Sequence, residues 1–381
     1  MKVLNYTATA VLVVLIFYLL IVGEALLLPL VIAVALWYLI NTLARAFSKL
    51  TLGNFQFPMS VCLGASILTF ILLLMALINF LSGRVQAVVD VAPVYQQNLV
   101  ERFQNIPFVD YSQFEEQNIL QLLTEWIDIP SYATSVAASF AGILANGGLI
   151  LIYMGFLFIE QKHFPDKIAL LVANKEREED VNQIIDRIRD DIQKYIGIKV
   201  FTSALTGSLS YIFLRVVDVD FAGVWGLLIF LLNFIPTVGS IVATIFPAMI
   251  ALAQSDGYTL FLLVLLGIGS FQIFIGNIIE PRLMGSRFNL SPIVILLNLA
   301  LWGYIWGIPG MFLCVPFLII VTIVLSYFPQ TRPVAIMLSS SGRLVVPIDR
   351  TLDVSSHYHA SNLLAAGSAE SDSSPEKSAT D

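Results

Sequence analysis

The chain has few charged residues. Asp, Glu, Lys and Arg make up 12% of its 381 residues, whereas hydrophobic residues make up 57%. A soluble domain carries about 25% charged residues. So few polar side chains cannot cover a protein surface in water, which excludes a soluble globular protein and predicts a chain that folds in lipid. The formal net charge of −7 and the lack of a basic stripe also argue against a nucleic-acid partner.

Cysteine and histidine are scarce as well. The two cysteines, Cys62 and Cys314, lie inside apolar runs, which excludes a disulfide framework and a cysteine metal site. The three histidines fall in predicted loops or in the tail: His163, His357 and His359. The sequence contains no nucleophile elbow, phosphate-binding glycine loop or dinucleotide fingerprint. It therefore predicts neither an enzyme nor a cofactor, apart from a transported H⁺ or Na⁺.

Long apolar runs dominate the rest of the sequence. Because hydrocarbon offers no partner for a free backbone N–H, these runs must form helices, and their lack of alternation excludes a β-barrel. The predicted fold class is all-α, a polytopic transmembrane helix bundle. The predicted runs are 7–22, 25–44, 59–81, 136–159, 196–217, 221–253, 260–279 and 290–327.

Two polar regions divide these runs. Region 82–135 is acidic and region 160–199 is basic. Positive charge is retained on the cytoplasmic side, so we place the acidic region outside and the basic region, with both termini, inside. Within the basic region, residues 180–194 have one apolar face and predict a helix lying on the inner membrane surface. The predicted segments are N-terminal spans 1–81, an extracytoplasmic acidic helical region 82–135, a span 136–159, a cytoplasmic amphipathic helix region 160–195, a transport core 196–327 and a largely disordered cytoplasmic tail 328–381.

Two of the apolar runs, 221–253 and 290–327, contain turn residues in their middle. Residues 233–239 interrupt the first run and residues 306–310 interrupt the second, and proline and glycine break helices. If each run returns to its own side, the basic loop that contains Arg282 stays cytoplasmic, as the charge rule requires. We therefore predict two broken-helix hairpins of opposite orientation, which are typical of secondary transporters.

Glu280 is the most informative candidate for chemistry. It closes a predicted span, and Asn277 lies three residues earlier on the same helix face. Pro281 is then expected to end the helix, leaving free carbonyls beside a carboxylate that could ligate a cation or take a proton. The alternative is a helix-end salt bridge from Glu280 to Arg282 or Arg287. The full set of candidate residues for a substrate or ion pathway is Asn233, Pro236, Thr237, Gly239, Ser240, Asn277, Glu280, Arg282, Gly307, Pro309 and Gly310.

The residues at the two interruptions have a second interpretation. Asn233, Thr237 and Ser240 could contact a polar solute, or they could equally cap the two half-helices. Gly307 and Gly310 favour close helix packing over binding.

Three motifs resemble the autoinducer-2 exporter family of PerM-like permeases. They are NFIPTVG at 233–239, NIIEPRLMG at 277–285 and WGIPGM at 306–311, the last followed by Pro316. The similarity covers roughly residues 11–327. The resemblance implies a bacterial inner-membrane transporter, with export of small polar molecules by some members and sodium/proton exchange by others.

These observations together predict an integral membrane transporter of a small polar solute, an efflux permease of this type coupled to H⁺ or Na⁺. One alternative is a sodium/proton antiporter. An alternative of another class is a membrane scaffold that transports nothing. The expected partners are the lipid bilayer and a small-molecule or ion substrate, without nucleic acid, and the sequence leaves a homo-oligomer open.

Overall fold

The computed structural model describes residues 2–49, 57–104, 146–161, 163–171, 175–255, 257–285 and 288–342. Within these ranges the elements are helices, and one isolated β-bridge joins Leu290 to Ser339. The prediction of an all-α polytopic bundle is confirmed. The acidic region beyond Gln104 and the tail beyond residue 342 lie outside the described residues, so the predictions made for them stay predictions.

Twelve α-helices and one π-helical turn make up the described part of the chain. They are α1 Lys2–Val22, α2 Glu24–Ser48, α3 Met59–Gln104, α4 Gly147–Glu160, α5 Phe164–Leu171, α6 Lys175–Val216, α7 Ala222–Leu232, α8 Val238–Gln254, α9 Tyr258–Phe274, the π turn Ile275–Ile279, α10 Glu280–Met284, α11 Pro292–Tyr327 and α12 Arg332–Leu338.

Five of the described helical segments are long and apolar enough to cross a membrane: Glu24–Ser48, Met59–Phe80, Val181–Val216, Tyr258–Met284 and Pro292–Tyr327. Large apolar side chains on these segments point outward; Leu73 is 62% exposed and Leu266 is 66% exposed. A surface of this kind is stable against lipid tails and unstable in water. The chain is therefore a multi-pass membrane protein.

Two helices are longer than the sequence predicts. The span expected to end at Leu81 continues in α3 as far as Gln104. The surface helix expected at 180–194 and the span after it form one helix, α6, of 42 residues. The apolar residues Ile184 and Ile188 are partly buried against the protein core; the position of this part of α6 relative to the membrane stays a prediction. No strong helix breaker separates the two parts, so the helix propagates through them.

The first interrupted run folds back on itself. The ring of Trp225 on α7 stacks on that of Phe246 on α8, with centroids 6.5 Å apart, so the two helices are antiparallel across the turn at 233–237. A Cβ atom on Gly239 would lie 1.8 Å from the carbonyl oxygen of Leu232. The first turn of α8 therefore needs glycine in order to pass the end of α7.

The second interrupted run folds back in the same way. Trp306 and Gly307 have non-helical dihedrals, with φ 61° and ψ −142° at Gly307. The side-chain amide of Asn298 donates to the carbonyl of Cys314 at 2.5 Å. In a straight helix, residues 16 apart would be separated by about 24 Å. α11 is thus a hairpin of two antiparallel arms, as the sequence predicts; the orientation of both hairpins in the membrane stays a prediction.

Three clusters of buried side chains hold the helices together. The first joins α2, α3 and α4, the second joins the end of α3 to α6, α7, α8 and α9, and the third joins α6 to the tip of the first hairpin and to α11. The buried centre of the first cluster includes Ile40 and Ile150. That of the second includes Leu99 and Leu214. That of the third includes Tyr195, Ile235 and Cys314. The third cluster places the first hairpin tip beside α6 and the second hairpin.

Candidate transport site

A cavity of about 410 Å³ lies where the tip of the first hairpin meets α6, the π turn and the start of α11. Its volume falls within the range of about 300–1,000 Å³ that is usual for small-molecule sites. Its lining residues are Tyr195, Lys199, Asn233, Ile235, Pro236, Thr237, Ser240, Gln272, Ile273, Gly276, Asn277, Glu280, Met284, Phe288, Leu290, Ile295 and Val315.

A buried ion pair forms one wall of this cavity. The ammonium of Lys199 donates to Oε1 of Glu280 at 2.8 Å, and the two side chains are only 8% and 14% exposed. The hydroxyl of Thr202 lies 3.4 Å from Oε2 of the same carboxylate. Removing one partner of such a pair strands an uncompensated charge and costs about 3–5 kcal/mol. The pair therefore holds α6 against the π turn.

The salt bridge expected from the sequence has a different partner. The alternative interpretation paired Glu280 with Arg282 or Arg287. In the described part of the chain, the cation that Glu280 contacts is Lys199 on α6. Arg282 is exposed. Arg287 lies outside the described residues.

The helix does not end at Pro281, contrary to prediction. The N–H of Glu280 bonds to the carbonyl of Ile275, five residues back, and α10 then continues to Met284 before Gly285 terminates it with φ 62°. The wider π turn absorbs the proline without stopping the chain. Because Pro281 has no N–H to donate, a carbonyl of the preceding turn lacks its helical donor. Gly276 and Asn277 of that turn line the cavity; a free carbonyl beside the carboxylate stays a prediction.

Polar side chains at and near the tip of the first hairpin also line the cavity. Asn233 is buried and its side-chain amide donates to the hydroxyl of Ser203 at 3.0 Å. The hydroxyl of Ser240 donates to the carbonyl of Thr237 at 2.8 Å, and the amide of Gln272 donates to the carbonyl of Ser240 at 3.2 Å. The tip is therefore tied both to α6 and to α9.

Thr237 differs from its neighbours at the tip. Its φ of 60° and ψ of −59° are unusual for a β-branched residue, and such a conformation costs about 1–3 kcal/mol. Strained residues of this kind cluster at ligand clamps and switch regions. Its side chain lines the cavity and is exposed.

The predicted pathway residues separate into two groups. Those that line the cavity are Asn233, Pro236, Thr237, Ser240, Asn277 and Glu280. Those that lie outside the cavity lining are Gly239, Arg282, Gly307, Pro309 and Gly310. The second hairpin tip lies against α1, where the indole N–H of Trp306 donates to the carbonyl of Leu20 at 3.0 Å.

Sequence reasoning missed Lys199, Thr202 and Gln272. Lys199 looked like the last residue of the basic region, although it lies inside the apolar run 196–217. A charged residue at membrane depth is a functional candidate by default. That signal could have singled out Lys199, but its partner Glu280 lies 81 positions away and no local pattern connects them.

A second polar cluster ties the far end of α3 to the base of the first hairpin. The hydroxyl of Tyr95 donates to the carboxylate of Asp220 at 2.6 Å, and the amide of Asn98 donates to the carbonyl of Ala253 at 3.0 Å. Burial, followed by the hydrogen bond to Asp220, raises the pKa of Tyr95 above its usual value. Leu99, fully buried, packs beside them.

Comparison with known proteins adds sequence evidence to this geometry. A relative from Haemophilus influenzae is 32% identical over 241 residues, which cover 63% of this chain and 67% of the relative. The AI-2 transport protein TqsA of Escherichia coli K12 is 35% identical over 206 residues, which cover 54% of this chain and 59% of that protein. A relative from Borreliella burgdorferi is 38% identical over 158 residues, which cover 41% of this chain and 44% of the relative.

The match at the level of the family is broader. The family described as AI-2E family transporter matches residues 9–330, which include every described helix that lines the cavity. Proteins of this family are transport proteins and not enzymes. The chain belongs to the AI-2E family of transporters, as its three motifs suggested.

Proposed function

We propose that this chain is an efflux permease for a small polar solute in a bacterial inner membrane, and that the solute passes through the cavity at the first hairpin tip. The observation that carries the proposal is the position of this cavity, between a broken-helix tip and a π turn, with Lys199 and Glu280 buried in its wall. Discontinuous helices around a polar site are the usual construction of secondary transporters. Membership of a transporter family speaks against the alternative of another class, a scaffold that transports nothing.

The proposed driving force is an H⁺ or Na⁺ gradient that acts at Glu280. Glu280 is the acidic residue among the described residues that line the cavity. Oε2 of its carboxylate lies 3.4 Å from the hydroxyl of Thr202, and Gly276 and Asn277 of the π turn also line the cavity. Ionisable groups at membrane depth commonly mark ion pathways and proton relays.

The proposed orientation follows the distribution of basic residues. Both termini and the loop between α10 and α11 are placed in the cytoplasm, and the acidic region beyond Gln104 is placed outside.

The Glu280→Gln variant tests the coupling. In proteoliposomes supplied with labelled polar metabolites, we expect gradient-driven flux to fall at least about tenfold, because an amide cannot carry the charge on which coupling depends. Downhill exchange of the solute without a gradient should persist in part. Glu179→Gln is the matched control, because Glu179 is exposed on α6 and does not line the cavity. Full gradient-driven flux in Glu280→Gln would remove this residue from the coupling mechanism.

The second candidate function is sodium/proton antiport, in which the cation is itself the cargo. The observation that favours it is the buried contact between a carboxylate and a cationic side chain, which shows that this wall already accommodates a positive charge. A sodium gradient would then move protons in liposomes that contain no organic solute, as measured by dye quenching. No proton movement under these conditions would leave solute export as the better description.

A further inference from the structure

The cavity wall carries one positive and one negative group. Among the described residues that line it, Lys199 and Glu280 are the charged ones, and they are 2.8 Å apart. We propose that the transported solute is a zwitterion with an apolar body, such as an amino acid with an aliphatic or aromatic side chain, or a short peptide of such residues. This inference rests on the proposed function and specifies the chemical class of its solute.

The charge balance of the wall selects this class. A solute that carries only a positive charge would be attracted by Glu280 but repelled by the adjacent Lys199. A solute that carries only a negative charge would be attracted by Lys199 but repelled by Glu280. In a largely buried site such like-charge contacts are barely screened. A zwitterion places its carboxylate against Lys199 and its ammonium against Glu280, so each buried charge keeps a partner of opposite sign.

Both wall residues have hydrogen-bonding capacity left for a ligand. An ammonium has three N–H donors, and that of Lys199 gives one of them to Glu280 in the described structure. A carboxylate has about four acceptor positions; here one oxygen accepts from Lys199, and the other lies near the Thr202 hydroxyl. A zwitterion can therefore bind alongside the existing pair without first breaking it.

The remaining lining suits the body of such a molecule. Besides the ion pair, apolar side chains line the cavity: Ile235, Met284, Phe288, Ile295 and Val315. Removing apolar surface of a solute from water against them is favourable. This part of the lining therefore suits an aliphatic or aromatic side chain.

This assignment also gives a physical basis for exchange. The ammonium of the solute and the coupling cation would compete for the acceptor positions of Glu280 that Lys199 leaves open, so binding of one would weaken binding of the other. Competition at one site is what couples the exit of one species to the entry of the other.

The first test compares three probes of nearly equal shape. L-Leucine is zwitterionic, leucinamide lacks the carboxylate and 4-methylpentanoate lacks the ammonium. Counterflow into proteoliposomes is measured for each, with phenylalanine and leucyl-leucine as further zwitterions. We expect at least one zwitterion to be taken up ten times faster than the two singly charged analogues. Uptake of none of the zwitterions, or equal uptake of all three matched probes, would overturn the inference.

The second test reverses the selectivity. In Lys199→Gln the wall keeps Glu280 alone, so leucinamide should be taken up faster than leucine. In Glu280→Gln the wall keeps Lys199 alone, so 4-methylpentanoate should be preferred. Because each result is a ratio of two probes in one variant, partial loss of folded protein does not change it. A ratio that stays at the wild-type value in both variants would contradict a role of this pair in recognition.

The Thr237→Trp variant separates this inference from the proposed function. A bulky side chain at this lining position should block the cavity to any solute. Suppose that the wild type transports an uncharged solute but no zwitterion, and that Thr237→Trp abolishes this transport. The proposed solute class is then wrong, while the cavity remains the transport route. If the variant transports as the wild type does, the cavity is not the route and the proposed function falls as well.

Discussion

Gly239 and Gly307 illustrate two different reasons for glycine in the hairpins. At Gly239 the constraint is space, because a Cβ would lie 1.8 Å from the Leu232 carbonyl oxygen. At Gly307 space is open, with no described atom within 4 Å of a built Cβ, and the constraint is the backbone, whose φ of 61° and ψ of −142° suit glycine alone. Each residue allows one tip to turn sharply.

Gly239→Ala is expected to destabilise the protein strongly. The added methyl group meets backbone rather than a flexible side chain, so α7 and α8 must move apart at the turn that lines the cavity; overpacking of this kind costs about 1–3 kcal/mol or more. The loss of stability is measured by thermal unfolding of the purified protein in detergent. Gly269→Ala is the matched control, because a Cβ there meets nothing within 4 Å and alanine is the better residue in a helix by about 0.5–1 kcal/mol. Equal melting temperatures for the two variants would contradict the close approach at Gly239.

At the scale of the helix, the extension of α3 past Leu81 links two parts of the bundle. Its start packs with α2 and α4, and its end contacts the base of the first hairpin through Tyr95, Asn98 and Leu99. A movement of the first hairpin relative to the N-terminal helices would therefore either move α3 with it or break the hydrogen bond between Tyr95 and Asp220.

The contact between Tyr95 and Asp220 predicts a loss of stability at alkaline pH. The pKa of Tyr95 is raised in the folded protein by burial and by its hydrogen bond to Asp220, whereas the unfolded chain titrates near pH 10. The contribution of this tyrosine to the stability of the folded protein is therefore fully present below about pH 10, and it is lost as the pH rises from that value through the raised pKa. Tyr95→Phe should melt lower than the wild type at pH 7 but lose less stability between pH 9 and pH 11.

Tyr304→Phe is the control for that experiment, because Tyr304 is 85% exposed. A pH profile of Tyr95→Phe that runs parallel to that of the wild type would show that the phenol of Tyr95 does not titrate with unfolding.

At the scale of the whole molecule, the sequence predicts what depends on local pattern. Apolar runs predict the spans, and Pro236 and Gly307 predict the two turns, because these residues act on their own backbone. The full length of α3 escapes prediction because its polar end carries no hydropathy signal, and the continuity of α6 escapes it because no local pattern shows that the amphipathic helix and the span form one helix. The pairing of Lys199 with Glu280 escapes it because it depends on how distant helices pack.

The opposite orientation that we propose for the two hairpins makes a prediction for the whole topology. In a background with Cys62 and Cys314 replaced by alanine, we expect an impermeant maleimide to label Ser255→Cys from outside intact cells. Arg287→Cys, which lies outside the described residues, should be labelled only after the membrane is opened. The physical reason is the charge rule, which predicts a cytoplasmic position for the loop near Arg282. Labelling of Ser255→Cys only from the cytoplasm would mean that the first hairpin crosses the membrane.

The shortness of α7 has a consequence for how the protein is made. At 11 residues it extends about 17 Å, far short of the roughly 30 Å needed to span the hydrocarbon. A segment of this length leaving the ribosome has no stable resting place in lipid until α8 has been synthesised and has paired with it. We therefore expect the two segments to enter the membrane together, and a chain truncated between them to be less stably inserted than one that contains both.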